Sequence, residues 1–323
     1  MRRLALSDEI LLKVDKAARY IGGEVNSVMK DKNEVDIRFA MCFPDVYEIG
    51  MSNLGMMILY NMFNQREDVW CERLFSPWPD LDKVMREEKI PLFALESQEP
   101  IRDFDFLGIT IGYEMCYTNI LQVLDLSGIP LKSADRGEDF PVVIGGGACA
   151  YNPEPLAPFF DMFYIGEGET VYDALFDAYK ANKKAGGSRK DFLLAAAKIP
   201  GIYVPSLYEV TYKEDGTIAS FAPTADDVPE KVQKQLIIDM EKEYRAVEAP
   251  VVPHIKATQD RVTLEIQRGC IRGCRFCQAG MIYRPTRERD VETLKESARI
   301  MLKNTGHEEI SLSSLSSSDY SQL

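Results

Sequence analysis

The chain has 323 residues and a formal net charge of -13, enough length for about two domains. The acidity argues against a protein that grips nucleic acid by general phosphate neutralisation and leaves a local basic patch as the one route to such a partner. No apolar run is long enough to span a bilayer, and the opening Met1-Arg2-Arg3-Leu4-Ala5-Leu6-Ser7-Asp8-Glu9 lacks the uncharged core of a signal peptide. With seven cysteines in a long acidic chain, the expectation is a cytoplasmic, reducing location with no membrane partner.

Residues 1–33 read as a helical lead-in, with Ile10, Leu11, Val14, Ala17 and Ala18 at helical spacing before Gly22-Gly23 breaks it. From 34 to 185, strand-like runs alternate with helical ones: 35–43 then 54–63, 92–95, 106–111 then 120–126, 142–144, and 163–165 then 171–179. That alternation predicts an α/β domain with a doubly wound, largely parallel sheet, whose ligands bind beyond the carboxyl ends of the strands. Three such ends stand out: the turn carrying Asp45, Tyr47, Gly50, Ser52 and Asn53, the run Gly145-Gly146-Gly147-Ala148-Cys149, and Gly166-Glu167-Gly168-Glu169. Glycines there allow close backbone approach to a ligand, and Ser52 or Asn53 can cap the first helix. Cys42, Cys71, Cys116 and Cys149 lie far apart in apolar runs and read as small buried hydrophobes.

Residues 186–255 read as a hairpin over 201–221, turning at Glu214-Asp215-Gly216, followed by an acidic spacer that ends in Pro250-Val251-Val252-Pro253.

From 256 to 323 the pattern changes again. The run 261–267 alternates apolar and polar residues as a half-buried strand does, and Arg268-Gly269-Cys270-Ile271-Arg272-Gly273-Cys274-Arg275-Phe276-Cys277 follows directly. Three thiols at C-x3-C-x2-C spacing can converge on one iron-sulfur cluster, yet an electron-transfer cluster normally takes four. A fourth corner left open is the mark of a catalytic metal site. Zinc is the weaker reading, because His254 and His307 are not at zinc-finger spacing from the triad. Next, Asp290 is placed to cap a helix with Val291, Leu294, Ala298 and Met301 on one face and Gly306 as its stop, and 309–315 alternates as a second strand. One strand-helix-strand unit is the start of a (β/α) barrel, which needs about eight; the expectation is an N-terminal fragment of a longer enzyme. Arg268, Arg272, Arg275, Arg284, Arg287 and Arg289 read as solvated charge that neutralises an anionic cluster, with an RNA surface as the alternative.

The cysteine spacing after a strand resembles the radical S-adenosylmethionine (SAM) superfamily. Over its whole length the chain resembles an uncharacterised radical-SAM family with an N-terminal cobalamin-binding-like domain. Tyr20-Ile21-Gly22-Gly23-Glu24 and Gln278-Ala279-Gly280-Met281-Ile282-Tyr283-Arg284-Pro285 look like its signatures. The resemblance implies a four-iron four-sulfur cluster on Cys270, Cys274 and Cys277, with SAM at the open iron, Phe276 near its adenine, and Ser313 and Ser314 near its amino group. It implies reductive cleavage of SAM to methionine and a 5'-deoxyadenosyl radical, fed by a donor such as flavodoxin or ferredoxin. Asp45-Val46-Tyr47-Glu48-Ile49-Gly50 is similar to the corrinoid frame Asp-x-His-x-x-Gly with Tyr47 in the histidine position, which implies cobalamin held without a lower-face histidine. The positions so implied are Asp45, Tyr47, Gly50, Ser52, Gly145, Gly146, Gly147, Gly166 and Gly168. With cobalamin, methyl transfer to an unactivated carbon is the favoured reaction class. Two alternatives stay open: a corrinoid- or nucleotide-binding module beside an inert barrel segment, and an RNA-modifying radical-SAM enzyme. No general acid or base is assigned.

Overall fold

The computed structural model describes residues 4–323; Met1, Arg2 and Arg3, the first positions of the expected lead-in, lie outside the described residues. The lead-in is not a long helix. α1 (Asp8–Leu11) is one turn, followed by a 3-10 turn at Ala17–Arg19 after a left-handed Lys16. Leu6, Val14 and Tyr20 enter the core one at a time while Leu12 stays exposed, and a single turn gains little from helix propagation.

β1 (Ile37–Phe43) is buried along its whole length, as a strand covered on both faces is. α2 (Tyr47–Gly50) leads to α3 (Leu54–Gln65), which the Asn53 side chain caps by accepting from the Met56 amide at 2.9 Å. β2 (Val69–Phe75), α4 (Pro79–Glu88), β3 (Phe106–Thr110), α5 (Tyr117–Leu126), β4 (Val142–Gly146), β5 (Met162–Tyr164), α6 (Tyr172–Lys184), α7 (Arg189–Ala196) and β6 (Ile202–Tyr203) complete the domain. The sheet order is β2-β1-β3-β4-β5-β6, with the first five strands parallel and β6 antiparallel at the edge. This is the doubly wound α/β sheet the alternation predicts, and its order reverses between β1 and β3, where a crevice opens beyond the strand ends. One face is packed by aromatic edges: Phe63 meets Tyr172 at 4.6 Å and Phe176 at 5.0 Å. The other is mainly aliphatic, with Ile109, Ile120, Val123, Leu124 and Val143.

Two departures from the expected pattern share one cause. β2 goes unseen in the sequence because Glu72 and Arg73 interrupt its apolar run, yet both are buried. Arg38 of β1 pairs with Glu72 at 2.6 Å and Glu99 at 2.5 Å and lies 4.0 Å from the Phe104 ring centre. Arg73 is held by Glu24 at 2.7 Å and Glu96 at 2.6 Å, and the Tyr47 and Tyr60 hydroxyls donate to those carboxylates. The expected strand at 92–95 is irregular instead. Its amides donate to the carbonyls of Leu126, Glu99 and Arg73, a path that delivers Glu96 and Glu99 to the two arginines.

β7 (Tyr208–Tyr212) and β8 (Ile218–Pro223) form the hairpin, while the segment expected as its first strand is β6 of the main sheet. The stretch after the hairpin is packed rather than free: Gln235 bridges the backbone of Gly166, and Ile237 and Met240 are buried.

The last segment holds β9 (Val262–Glu265), β10 (Gln267–Arg268), α8 (Ala279–Ile282), β11 (Arg287–Glu288), α9 (Val291–Thr305) and β12 (Ile310–Ser313). β9 and β12 pair in parallel, and β10 pairs with β11 antiparallel. Asp290 caps α9 by accepting from the Glu292 and Thr293 amides, and Gly306 ends it in a left-handed conformation. Val262, Leu264 and Ile266 close a small core against Leu294, Met301 and Tyr320. Among the described residues no helix is long and apolar enough to cross a membrane.

Removing Arg73 strands two buried carboxylates. Arg73→Met is expected to lower unfolding stability by about 3–5 kcal/mol in a urea titration, whereas Lys83→Ala, at an exposed pair with Glu87, should stay near wild type.

Candidate functional site

A cavity of about 530 Å³ lies between the carboxyl ends of the six-stranded sheet and the ends of β9 and β12. Asn53, Leu54 and Gly55 at the start of α3 form one wall, and Gly146, Gly147, Gly166 and Gly168 supply a side-chain-free edge. Gln267, Arg268 and Gly269 close it at the root of the cysteine loop, with Ser313 and Ser314 beside them. Of the positions expected from sequence, this cavity gathers the two serines and four of the glycines. The others stand elsewhere. Tyr47 is buried and bonded to Glu24. Gly50 abuts the Phe75 ring, where a Cβ would come within 2.2 Å of it, and Gly145 is enclosed by Ile111, Phe160 and Phe163. Asp45 accepts from the Tyr113 hydroxyl at 3.1 Å. Ser52 accepts from the Gln259 amide at 2.8 Å on a separate cleft. Phe276 is 93% exposed on the loop.

The cysteine loop leaves β10 through Gly269. Its φ of 82° is left-handed, and a Cβ there would lie 2.6 Å from the Pro285 carbonyl oxygen, so glycine is required. Cys270 and Cys277 are partly exposed and Cys274 is exposed, all three as free thiols. The Cys277 amide bonds back to the Cys274 carbonyl, and the Gly280 amide donates to the Cys277 sulfur at 3.4 Å. Arg272 pairs with Asp319. Among the described residues no three His, Cys, Asp or Glu side chains stand grouped as a metal site. The donor set nonetheless fits an iron-sulfur cluster in kind, with three unpaired thiols on one short loop and an amide already directed at a sulfur, as the sulfurs of such clusters take them.

The root of that loop is fixed by charge. Arg268 reaches Glu169 at 2.6 Å, Glu265 at 3.0 Å and Glu167 at 3.1 Å. Arg287, its cross-strand neighbour, binds the other Glu167 oxygen at 2.7 Å, and the Ile237 amide donates to the same carboxylate at 3.0 Å. Gly166 makes this contact possible: with φ 140° its backbone lies against Gln235, where any Cβ would sit 2.2 Å from the carbonyl oxygen. Arg268 and Arg289 also lie over the Tyr244 ring. The expectation of solvated arginines is therefore corrected for Arg268, Arg287 and Arg289: carboxylates of the β5–α6 loop, or an aromatic ring, occupy them. None of the three forms a surface for phosphates.

Burial works against the ionised Glu167, but hydrogen bonds from Arg287 and the charges of Arg268 and Arg287 outweigh it and hold the carboxyl below its ordinary value of 4.5. Arg268 is pushed the other way. Burial disfavours its cation, and the charges of Glu265 and Glu169 more than offset that.

Residues 55–205 match the family model described as "Radical SAM proteins, N-terminal". Over 285 residues the chain is 25% identical to "Uncharacterized protein MJ0966" of Methanocaldococcus jannaschii, a match that takes in 88% of this chain and 50% of that one. Among solved structures it is similar to the radical S-adenosylmethionine methyltransferase TsrM from Kitasatospora setae. One of these holds tryptophan substrate and a SAM analog (14% identity, TM-score 0.44) and another cobalamin and a 4Fe-4S cluster (12%, 0.45). Each match covers 87% of this chain and 48% of TsrM. The chain spans about half the length of the relatives it matches.

A carboxyl held below its ordinary value takes up its proton at lower pH when folded than when unfolded. Its stabilisation is thus complete above about 4.5 and is lost as the pH falls through the folded value. Glu167→Gln is expected to cost about 3 kcal/mol at neutral pH, the scale of one broken buried pair. The gap between wild type and variant in urea unfolding should close as the pH is lowered below 4.5.

Proposed function

We propose that the chain forms the cofactor-holding part of a radical-SAM enzyme. Cys270, Cys274 and Cys277 would hold a four-iron four-sulfur cluster, leaving one iron for SAM. The observation that supports this most is the cysteine loop itself, which leaves the carboxyl end of β10 at the mouth of a cavity flanked by two parallel strand pairs. When bound, the cluster and SAM supply one-electron reductive cleavage of the sulfonium, chemistry that belongs to the cofactor.

The chain's own residues bind, orient and shield. Glu167, Glu169 and Glu265 fix Arg268, so the residue two positions before Cys270 cannot swing. Ser313 and Ser314 lie at the end of β12 on the cavity wall, with Ser314 in contact with Ser317 through their hydroxyls. For the cavity we propose a corrinoid, seated along the edge formed by Gly146, Gly147, Gly166 and Gly168, where Gly146 leaves open space in place of a side chain. Tyr47 offers that ligand no lower-face group, because its hydroxyl is committed to Glu24. With a corrinoid in place, methyl transfer is the reaction class of the whole enzyme.

Anaerobic reconstitution with iron and sulfide tests the first part. About four irons per chain, lost in Cys274→Ala, with an electron paramagnetic resonance signal that moves when SAM is added, is the expected result. Iron content unchanged by the substitution would overturn the assignment. Retention of the hydroxocobalamin spectrum after gel filtration tests the second part, and its loss would remove the corrinoid.

A further inference from the structure

Gln267 stands three positions before Cys270, and its side chain is buried, with 1% of its surface exposed. Its backbone pairs with Glu288 across β10 and β11. Its amide is another matter: neither Nε2 nor Oε1 has a hydrogen-bond partner among the described residues, and the residue lines the cavity. A buried amide open at both ends destabilises a protein unless something supplies the missing bonds. The charged neighbours are already engaged. Glu265 accepts from Arg268 through both oxygens, Glu167 from Arg268, Arg287 and the Ile237 amide, and Glu169 from Arg268.

We propose that Gln267 is a ligand-recognition residue of the cavity, reading a group that carries a hydrogen-bond donor beside an acceptor. A carboxamide offers one side of each kind, so its complement does too, in either orientation of the amide. A carboxylate or phosphate presents acceptors alone and would leave Oε1 unmet. Two chemistries fit: a primary carboxamide on the rim of a corrinoid, and the amino edge of an adenine, which a glutamine matches with paired bonds. The proposal rests on the cofactor reading above and names the contact that reading lacks.

Gln267→Leu and Gln267→Met remove the polar edge at similar volume. Hydroxocobalamin is titrated against wild type and both variants by visible absorbance, and SAM by calorimetry on iron-reconstituted protein. The expected result is binding of one of the two weakened roughly ten- to a hundredfold, with the other unchanged, which tells the carboxamide from the adenine. Without ligand, at least one variant should unfold at the same temperature as wild type or higher, because an unpaired amide has been removed. Wild-type affinity for both ligands in both variants would overturn the proposal, as would earlier unfolding of both, since the amide then serves the fold. Wild-type protein that binds neither ligand overturns the cofactor reading and this contact with it, whereas ligand binding indifferent to Gln267 overturns this contact alone.

Discussion

Glu167 sits where the six-stranded sheet meets the β10–β11 pair, and the arrangement of the cavity follows from what it binds. One carboxylate receives two guanidinium groups from adjacent strands and an amide from the connecting segment. A buried ion pair is costly unless its remaining lone pairs and protons are satisfied, and here they are shared among Glu169, Glu265 and backbone carbonyls. The result is a stiff joint. It sets the root of the cysteine loop against the glycine edge of the α/β sheet, so that one cavity has walls from both.

A second buried charge network does comparable work at the other end of the sheet. Glu24 belongs to the lead-in, Arg73 to an edge strand and Glu96 to an irregular segment, and their pairing fastens all three to β1 and α3. Both networks draw on the acidic surplus of the chain. A net charge of -13 therefore describes a surface and, in part, an interior whose arginines need partners. Among the described residues, Gln267 at the cavity is the buried glutamine that found none.

The elements with local signals were legible. The period-two run ahead of the cysteines, expected as one strand, is divided into β9 and β10, which pair in different sheets; Asp290 and Gly306 bound α9, and Asn53 caps α3. The doubly wound, largely parallel class of the sheet followed from the alternation, though not its strand order. Much of what was not legible came from long-range charge pairing. β2 lost its apolar signature to Glu72 and Arg73, whose partners lie on other segments. Arg268 and Arg287 looked solvated because Glu167 and Glu169, which pair with them, are about a hundred positions away. Tyr47 and Gly50 fitted a sequence frame, yet the fold uses them for a hydroxyl bond and a ring contact. Gln267 carried no signal at all, since an unpaired amide is defined only by what surrounds it.

By itself, then, the sequence determined the chemistry on offer and the order of the layers: three thiols on a short loop after a strand, and strands alternating with helices ahead of it. Those depend on neighbours within a few residues, where spacing and capping act directly. Tertiary structure alone decided which glycines and serines share a cavity, which arginines are buried, and where an amide is left open. Those outcomes turn on contacts between segments far apart in the chain, where a charge is tolerated or excluded according to whether a partner arrives.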